Sequence, residues 1–408
     1  MTSHRPYARY LALAGGLAFA ACLATLLFNA AVDPYGMLGT PRVTGFNARK
    51  IYADRELQAY KVKGLQQIRP RTVILGNSRA EVGLDPSSPA WPQQLRPVFN
   101  AAVPGTGLRT AARMLYTAHS AGNLDAVVLA VDFPDFLARQ EAPMEPLVEM
   151  DVDARVVVTP REQLVALATL DTLVASVSTV LQQSNRFAPE ITSLGFNPMR
   201  DYELAARREG YARLFRQKNI DYARRYANGP KSLAADAHGF SPEFEQLRVI
   251  LRFAREHALS VKLLVYPYHM DLLEILRLSS LETAYGSWKG QLAQVVAEER
   301  AAGTKVELWD FSGPSEPIRE RVPGNSDRGT GMRWFWESGH FKSQLGESLI
   351  AEITGGTEVL GRRLGPENVD RQLRDLAQMV DDFEREDPGR AAMLAELVGK
   401  SASAATGR

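Results

Sequence analysis

A serine and a histidine with a nearby carboxylate are the residues of this chain whose types and spacing predict nucleophilic chemistry. Ser78 follows an aliphatic run that ends at Leu75 and a Gly-Asn turn. Far downstream, His340 stands three residues after Glu337, which is close enough for the imidazole and the carboxylate to pair. A serine hydroxyl becomes an effective nucleophile when a base takes its proton, and that base is usually a histidine oriented by a carboxylate.

Each of these residues also has a structural interpretation that the sequence leaves open. The segment that ends at Ser78 has the composition of a turn that caps the next helix. Glu337 and His340 can stand at a helix N-terminus without any serine partner. A carboxylate after the fifth predicted strand, Asp310, is an alternative partner for the histidine.

The elements that must position these residues follow an α/β pattern. Five aliphatic runs alternate with helical segments, which is typical of a parallel sheet with crossover helices. We therefore expect a three-layer α/β/α sandwich, flavodoxin-like, with a five-stranded parallel sheet. Ligands and catalytic side chains collect beyond the carboxyl ends of such strands. The predicted strands are residues 72–75, 98–103, 126–131, 261–266 and 305–309.

The long segment 137–240 separates the third and fourth predicted strands as a helical insertion. It contains a capping box from Thr159 to Glu162, followed by a largely apolar helix that continues to Leu181. Further on, arginines alternate with aromatic residues over 202–226. This pattern is typical of a helix with its aromatics inward and its arginines solvated, and a groove for an anionic or carbohydrate ligand is the alternative.

The start of the chain predicts a membrane anchor. From Tyr10 to Val32 no side chain is charged, and about twenty apolar residues suffice to cross a bilayer. Arginines precede the run and Asp33 follows it, so we expect residues 1–9 to stay in the cytoplasm and the remainder to be exported. A signal peptide cleaved near Asn29 and a buried soluble helix are the alternatives.

The other boundaries follow from composition. Residues 33–70 are predicted to be a connector, 71–355 the α/β domain and 356–408 a helical tail. A coiled-coil-like pattern after Pro366 predicts a helix that packs on the body or forms a hairpin with a second helix. The last residues, from Ser401, are predicted to be disordered.

Bulk composition excludes several classes of function. The chain has 48 basic and 47 acidic residues and a formal net charge of +1, which argues against nucleic-acid binding. Its only cysteine, Cys22, excludes an intramolecular disulfide and a cysteine-based zinc site. A metal site of Asp132, His269 and Asp310 is conceivable but lacks a ligand spacing motif, so no metal or cofactor is predicted.

These motifs, in this order, resemble the SGNH (GDSL-type) hydrolase superfamily. The resemblance is to its membrane-anchored bacterial branch, which includes alginate O-acetyltransferases and the D-alanyl transfer protein of teichoic acids. Members carry a Gly-Asp-Ser or Gly-Ser-Ser turn after the first strand, matched here by Gly-Asn-Ser78. They carry a glycine after the second strand, matched by Gly105, and an Asp-x-x-His motif, matched by Glu337 to His340. The resemblance covers residues 70–350.

The resemblance implies that Ser78 is the nucleophile, His340 the base and Glu337 its orienting acid. The backbone N–H groups of Ser78 and Gly105 would form part of an oxyanion hole. The sequence departs from the family in two places. Its orienting acid is glutamate, and no asparagine follows the third strand, where an ionised Asp132 accepts hydrogen bonds but donates none. The residues expected to line the site are Asn77, Arg79, Asp132, His269 and Asp310.

The function implied is a serine esterase or O-acyltransferase, which would act on acyl esters of a cell-envelope glycan through an acyl-serine intermediate. Its expected location is the bacterial inner membrane, with the main domain in the periplasm. Expected partners are the lipid bilayer through residues 10–32, an envelope glycan and a membrane acyl-donor protein, but no nucleic acid. The missing asparagine favours the alternative of a non-catalytic glycan-binding or scaffold component of an envelope complex.

Overall fold

The computed structural model describes residues 5–138, 147–151, 154–235, 239–327 and 329–406. This part of the chain has a mixed α/β architecture around a mostly parallel sheet. The strands are β1 Thr72–Leu75, β2 Val98–Asn100, β3 Ala126–Val131, β4 Ser260–Val265, β5 Lys305–Asp310, β6 Phe335–Glu337, β7 His340–Phe341 and β8 Arg362–Arg363. The helices are α1 Arg5–Val32, α2 Leu57–Ile68, α3 Ser78–Gly83, α4 Leu108–Ser120, α5 Pro160–Leu167, α6 Leu170–Leu181, α7 Arg200–Glu209, α8 Tyr211–Ala227, α9 Pro242–Glu256, α10 Met270–Leu278, α11 Glu282–Ala301, α12 Ser343–Gly355, α13 Val369–Glu386 and α14 Pro388–Thr406.

The main sheet has the strand order β2-β1-β3-β4-β5-β8. The first five strands are parallel, and β8 is an antiparallel edge strand beside β5. Every residue of β1, β2 and β3 is buried, as expected for parallel strands that are covered on both faces. The sequence did not predict β8, because its two exposed arginines carry no apolar pattern.

The second strand is shorter than predicted and ends at Asn100. The chain nevertheless continues beside β1, because Ala101 N donates to Ile74 O at 2.8 Å and Val103 N donates to Gly76 O at 3.0 Å. This contact brings the loop after β2 next to the turn that follows β1.

Helices pack on the sheet so that the two distant halves of the chain approach each other. On one side α4 contacts α2 and α9, and α9 contacts α11. Elsewhere α3, which follows β1, contacts α12, which follows β7. Gly346 of α12 lies so close to α3 that an added Cβ would stand 1.8 Å from Gly83 O. The short helix after β1 is therefore held against the segment that follows His340.

The insertion corrects one prediction. The capping box forms as expected, since Thr159 Oγ1 accepts from Glu162 N and the glutamate side chain accepts from Thr159 N. The predicted single apolar helix, however, is broken into α5 and α6, which meet at an angle of 75°. Thr169 causes the break, because its hydroxyl accepts from Thr172 N at 3.1 Å and thereby caps a new helix.

The arginine-rich and aromatic stretch is also two helices, α7 and α8, separated at Gly210 with φ +81°. Its Tyr211, Phe215 and Tyr222 are buried, while its arginines are exposed. The stretch therefore has the ordinary arrangement, with aromatics inward and arginines solvated.

The C-terminal tail packs on the body through two helices. α13 contacts α14, and α14 contacts α8 and α10. The prediction of disorder from Ser401 is wrong for residues 401–406, because α14 continues to Thr406, and residues 407–408 lie outside the described part of the chain. Ser401 is buried, and its carbonyl accepts from Asn228 Nδ2 at 3.1 Å. The weakly apolar end of this helix is ordered by its partner α8, which the local sequence does not reveal.

The N-terminal helix α1 is long and apolar enough to cross a membrane, since an 18-residue window within Tyr7–Val32 has a mean hydropathy of 2.2. Its last turns are attached to the body. Asn29 Nδ2 donates to Leu167 O at 2.9 Å, and Asn47 Nδ2 donates to Ala31 O at 3.0 Å. Lys50 Nζ, which is buried, donates to Val32 O at 2.8 Å.

Candidate active site

The turn after β1 places Ser78 beyond the carboxyl end of this strand, and the conformation of the turn requires a glycine. Gly76 has φ +147°, and an added Cβ would lie 2.4 Å from Tyr266 Oη. Asn77 then caps α3, because its Oδ1 accepts from Arg79 N at 3.1 Å. Ser78 is the first residue of α3 and is half-buried. The turn therefore exposes a serine hydroxyl beyond the carboxyl end of a buried strand, where ligands bind in such sheets.

A two-stranded hairpin, β6 and β7, carries both the histidine and the acid. Glu337 pairs with His340 across the hairpin. The connecting turn contains Gly339, where an added Cβ would lie 1.9 Å from Tyr222 Oη. His340 Nε2 lies 2.8 Å from Ser78 Oγ, and His340 Nδ1 is hydrogen-bonded to Glu337 Oε1. The structure thus brings together the serine, histidine and carboxylate that the sequence singled out.

The electrostatics of this triad fix the tautomer of the imidazole. Glu337 is 1% exposed, and its second oxygen accepts from Gly339 N at 2.8 Å. Burial opposes ionisation of this carboxyl, but the imidazole and the Gly339 N–H outweigh it, so the pKa of Glu337 is lowered from 4.5. An ionised carboxylate only accepts hydrogen bonds, so Nδ1 of neutral His340 carries the proton. Nε2 then has the lone pair that accepts the hydroxyl hydrogen of Ser78, as a general base does.

The residue after the serine, Arg79, ties α3 to the hairpin. Its buried guanidinium donates from Nε to Gly339 O at 2.7 Å and from Nη1 to Asp132. The burial of this cation is offset by a carboxylate and by aromatic faces. The contact fixes Ser78 relative to the turn that precedes His340. Three tyrosine rings lie 5.2 to 5.9 Å from the guanidinium carbon: Tyr222, Tyr266 and Tyr268.

Asp132, at the end of β3, was expected to line the site, but its side chain is buried. It is 3% exposed, and its carboxylate accepts from Arg79 and Tyr268 and from Asn77 Nδ2 at 2.9 Å. These three donors occupy both of its oxygens. Asp132 is therefore the counter-ion of Arg79 and holds the turn before Ser78 in place.

The family resemblance predicts two main-chain N–H groups, those of Ser78 and Gly105, as oxyanion donors. The Ser78 N–H belongs to the first turn of α3, and Gly105 lies two residues beyond Val103, which is bonded to Gly76. Gly105 is exposed, has φ +72°, and would place a Cβ in open space. In the described part of the chain, neither N–H has a hydrogen-bond acceptor. The amide of Asn100 is not a third donor, because it donates to the main-chain carbonyls of Ala80 and Leu84 at 2.8 and 2.9 Å.

His269 lies beside the hairpin but is buried rather than open to the cleft. Its Nε2 lies 2.7 Å from Glu320 O, and its Nδ1 accepts from Asp271 N at 3.2 Å. Burial, the largest effect, lowers the pKa of His269 and keeps the ring neutral. The rings of Phe215 and Phe335 pack edge-on against it. Both nitrogens are therefore occupied, and no lone pair is free to act as a base.

Asp310, at the end of β5, does not orient His340. It is 1% exposed and forms an ion pair with Lys289 Nζ at 2.7 Å. Its other oxygen accepts from Ser312 N and Ser312 Oγ. The three residues considered as a metal site, Asp132, His269 and Asp310, do not form one, because each contacts different partners. No three histidine, cysteine, aspartate or glutamate side chains among the described residues form a metal-binding group.

Asp135 is a site residue that the sequence reasoning missed. Its Oδ2 accepts from Asn77 Nδ2 at 3.4 Å, one residue before Ser78. Burial raises the pKa of Asp135 from 3.8 to about 6, although Arg79, Arg225 and the Asn77 amide favour its ionised form. The available signal was its position four residues after the end of β3, in a strand-end turn.

A network of buried hydrogen bonds, which the sequence also did not reveal, links α14 to the hairpin of β6 and β7. Arg390 Nε donates to Asp271 Oδ1 at 2.6 Å, and Asn219 Nδ2 donates to Asp271 Oδ2 at 2.6 Å. Ser338 Oγ, in the turn between Glu337 and His340, donates to Asn219 Oδ1 at 2.6 Å. These residues come from four separate segments, so no local motif marks them.

Comparison with known proteins adds no family assignment to this geometry. Neither models of known protein families nor curated proteins match the chain. The interpretation of the site therefore depends on the hydrogen bonds of its residues and on the order of its motifs.

Proposed function

We propose that this chain is an SGNH-like serine esterase or O-acyltransferase. The observation that carries the proposal is the hydrogen-bonded series from Ser78 Oγ through His340 to the buried carboxylate of Glu337. A half-buried serine with an imidazole lone pair at 2.8 Å is poised to attack a carbonyl carbon. The order of the motifs and the strand order of the sheet support an SGNH-like three-layer sandwich.

In the first half-reaction, Ser78 Oγ attacks the acyl carbonyl and His340 Nε2 takes its proton. The carbonyl oxygen becomes an oxyanion, for which the N–H groups of Ser78 and Gly105 are the donors. Glu337 stabilises the imidazolium by accepting from its Nδ1–H. When the tetrahedral intermediate collapses, the bond to the leaving oxygen breaks and that oxygen takes the proton from His340. The acyl group is left as an ester on Ser78.

In the second half-reaction, an incoming hydroxyl gives its proton to His340 Nε2 and its oxygen attacks the acyl-serine carbonyl. Collapse of the second intermediate returns the proton to Ser78 Oγ. Water as the acceptor gives hydrolysis, and a sugar hydroxyl gives transfer. We propose an envelope glycan as the carbohydrate partner and a membrane protein as the acyl donor, because α1 would hold the domain at a membrane surface.

We further propose that α1 spans a bacterial inner membrane with its N-terminus in the cytoplasm and the main domain in the periplasm. The basic residues Arg5 and Arg9 before the apolar run support this orientation. The burial of Asn29 against the body supports a retained anchor rather than a cleaved signal. A periplasmic reporter fused after Tyr60 should be active, and activity of a cytoplasmic reporter at that point would reverse the proposed topology.

A second candidate function, a non-catalytic glycan-binding or scaffold protein, is favoured by one observation. At the end of β3 the chain has Asp132, which accepts hydrogen bonds from Arg79 and cannot donate to an oxyanion. The site therefore lacks the side-chain amide that SGNH hydrolases use at this point.

Labelling with a fluorophosphonate separates the two candidates. This probe reacts with an activated serine, so the purified full chain should be labelled at Ser78, and labelling should be lost in Ser78→Ala. Ser87→Ala, an exposed serine in the same region, is the matched control and should be labelled normally. Absence of labelling in the folded wild-type chain would favour the scaffold function.

A further inference from the structure

Helix α6 has its apolar and polar faces reversed relative to a helix of a water-soluble domain. Its buried side chains are small or polar, whereas its large apolar side chains are exposed. Leu170 is 78% exposed and Leu181 is 76% exposed. A helix in water shows the opposite pattern, with its apolar side chains toward the core. The buried residues are Thr172, Ala175, Ser176 and Thr179, and the exposed ones are Leu170, Val174, Val177 and Leu181.

The exposed apolar surface continues onto α5, where Leu164 and Val165 are also exposed. We call these two helices and their outward side chains the α5–α6 elbow. Its outward face carries few charges. The only charged residue of α6 is Asp171 in the first turn, and the charges of α5 are in its own first turn. Exposure of these side chains to water is unfavourable, because each exposed Leu or Val forgoes the free energy gained by burial in an apolar environment.

The position of the elbow relative to α1 indicates what covers this surface. α1 contacts both α5 and α6. The polar side of α6 contacts the segment that follows α1, since Thr172 Oγ1 donates to Tyr35 Oη at 3.3 Å and Tyr52 Oη donates to Ser178 Oγ at 2.9 Å. With Asn29 bonded to Leu167 O, the elbow and the end of α1 form one attached unit.

The level at which α1 contacts the elbow gives the depth of the elbow relative to the bilayer. The uncharged run begins at Tyr10, and a hydrophobic span of about twenty residues ends near Asn29. The half-buried and buried positions of α1 begin at Thr25, so the elbow lies beside the last turns of this span. At the same level, Leu23 and Leu27 of α1 are exposed, and the elbow extends their apolar surface sideways.

We propose that the α5–α6 elbow is embedded in the membrane leaflet from which α1 emerges, with lipid acyl chains covering its outward Leu and Val side chains. The body is then held by two apolar elements instead of a single tether. This fixes the height and orientation of the Ser78 site above the bilayer. The proposal rests on the membrane anchorage in the proposed function but not on the serine chemistry.

The test measures the depth of single cysteines in the full chain with Cys22 replaced by alanine. Leu17→Cys, Val174→Cys, Leu181→Cys and Val359→Cys are labelled with a fluorophore and reconstituted into vesicles of phosphatidylethanolamine and phosphatidylglycerol with brominated acyl chains. Val359 is the matched control, because it is an equally exposed valine on the body at 63%. Labels at Val174 and Leu181 should be quenched strongly, more by bromines near the headgroups than by bromines near the chain ends. The label at Leu17, in the middle of α1, should show the reverse preference.

The outcomes distinguish this inference from the proposed anchorage. If the Leu17 label is quenched while those at Val174 and Leu181 are as unquenched as that at Val359, α1 is in the bilayer and the elbow is not, which overturns the inference alone. Emission from Val174 and Leu181 that is blue-shifted but unquenched by lipid bromines would mean a protein covers the elbow and would also overturn it. An unquenched Leu17 label would remove the membrane anchorage and the inference together.

Discussion

Two pairs of a carboxylate and a histidine lie on adjacent segments of this molecule, and they differ in what the second ring nitrogen contacts. In the first pair, Glu337 holds His340 Nδ1, and Nε2 faces the hydroxyl of Ser78 at 2.8 Å. In the second pair, Asp271 lies 3.6 Å from His269 Nδ1, but Nε2 is bonded to a main-chain carbonyl. His340 is partly open to solvent, and His269 is buried.

Proximity of an acid and an imidazole is therefore not sufficient to make a catalytic base. His269 must donate from Nε2 to a carbonyl while Nδ1 accepts from an amide, so both nitrogens have fixed structural partners. The charge of Asp271 is instead balanced by Arg390, which keeps the pKa of this carboxyl low despite its complete burial. A base requires a free lone pair directed at a nucleophile, and only the His340 pair provides one.

The largest expected effect comes from removing the base or the nucleophile of the first pair. His340→Ala and Ser78→Ala should each lower kcat for hydrolysis of a p-nitrophenyl ester by about 10⁴- to 10⁶-fold, and the double variant should be little worse, because triad members act as a unit. His269→Gln is the matched control, since its amide can still donate to Glu320 O; its activity should stay close to wild type. Equal losses in His340→Ala and His269→Gln would remove the distinction between the pairs.

The next effect concerns the acid of the first pair. Glu337→Gln should keep the fold but lower kcat by about 10⁴-fold, because an amide does not hold the imidazole in the required tautomer or stabilise the imidazolium. Steady-state kinetics with folding checked by circular dichroism measures this. Glu307→Gln, which makes the same change in a surface ion pair of β5, should leave kcat unaltered. A wild-type rate for Glu337→Gln would exclude the triad mechanism.

In the second pair, the expected loss is in stability. Arg390→Met leaves the fully buried Asp271 without its cation, which typically costs about 3–5 kcal/mol. The unfolding temperature of the detergent-solubilised chain should fall clearly. Adding Asp271→Asn should recover part of the loss, because the uncompensated charge is then removed. If Arg390→Met unfolds at the wild-type temperature, the buried network does not stabilise the hairpin region.

The smallest effect is a change in pH dependence at Asp135. Its pKa is raised from 3.8 to about 6, so the folded state binds the proton more tightly than the unfolded state. The protonated form therefore stabilises the fold at low pH, and this contribution is lost as pH rises from 3.8 to about 6. Asp135→Asn should remove this pH-dependent loss of stability. The unfolding temperature of the variant should therefore equal that of wild type at acidic pH and exceed it at neutral pH. If the unfolding temperatures of the two proteins depend on pH in the same way, the raised pKa of Asp135 is contradicted.

Local sequence determined those parts of the protein that depend on neighbouring residues. The aliphatic runs of β1 and β3 have the predicted bounds, because buried parallel strands have a short-range pattern. The capping box at Thr159 and the apolar length of α1 are equally local. The order of Gly76, Ser78 and His340 along the chain was likewise readable before any contact was known.

The contacts that these residues make depend instead on the packing of distant segments. Ser78 and His340 are 262 residues apart and meet because α3 and α12 pack together, which no local pattern encodes. Arg79 likewise obtains its counter-ion, Asp132, from a segment 53 residues away in the chain. His269 and His340 have similar acidic neighbours but different chemical roles. Burial and hydrogen-bond partners, rather than residue type, determine which ring nitrogen carries the proton and whether a lone pair is free.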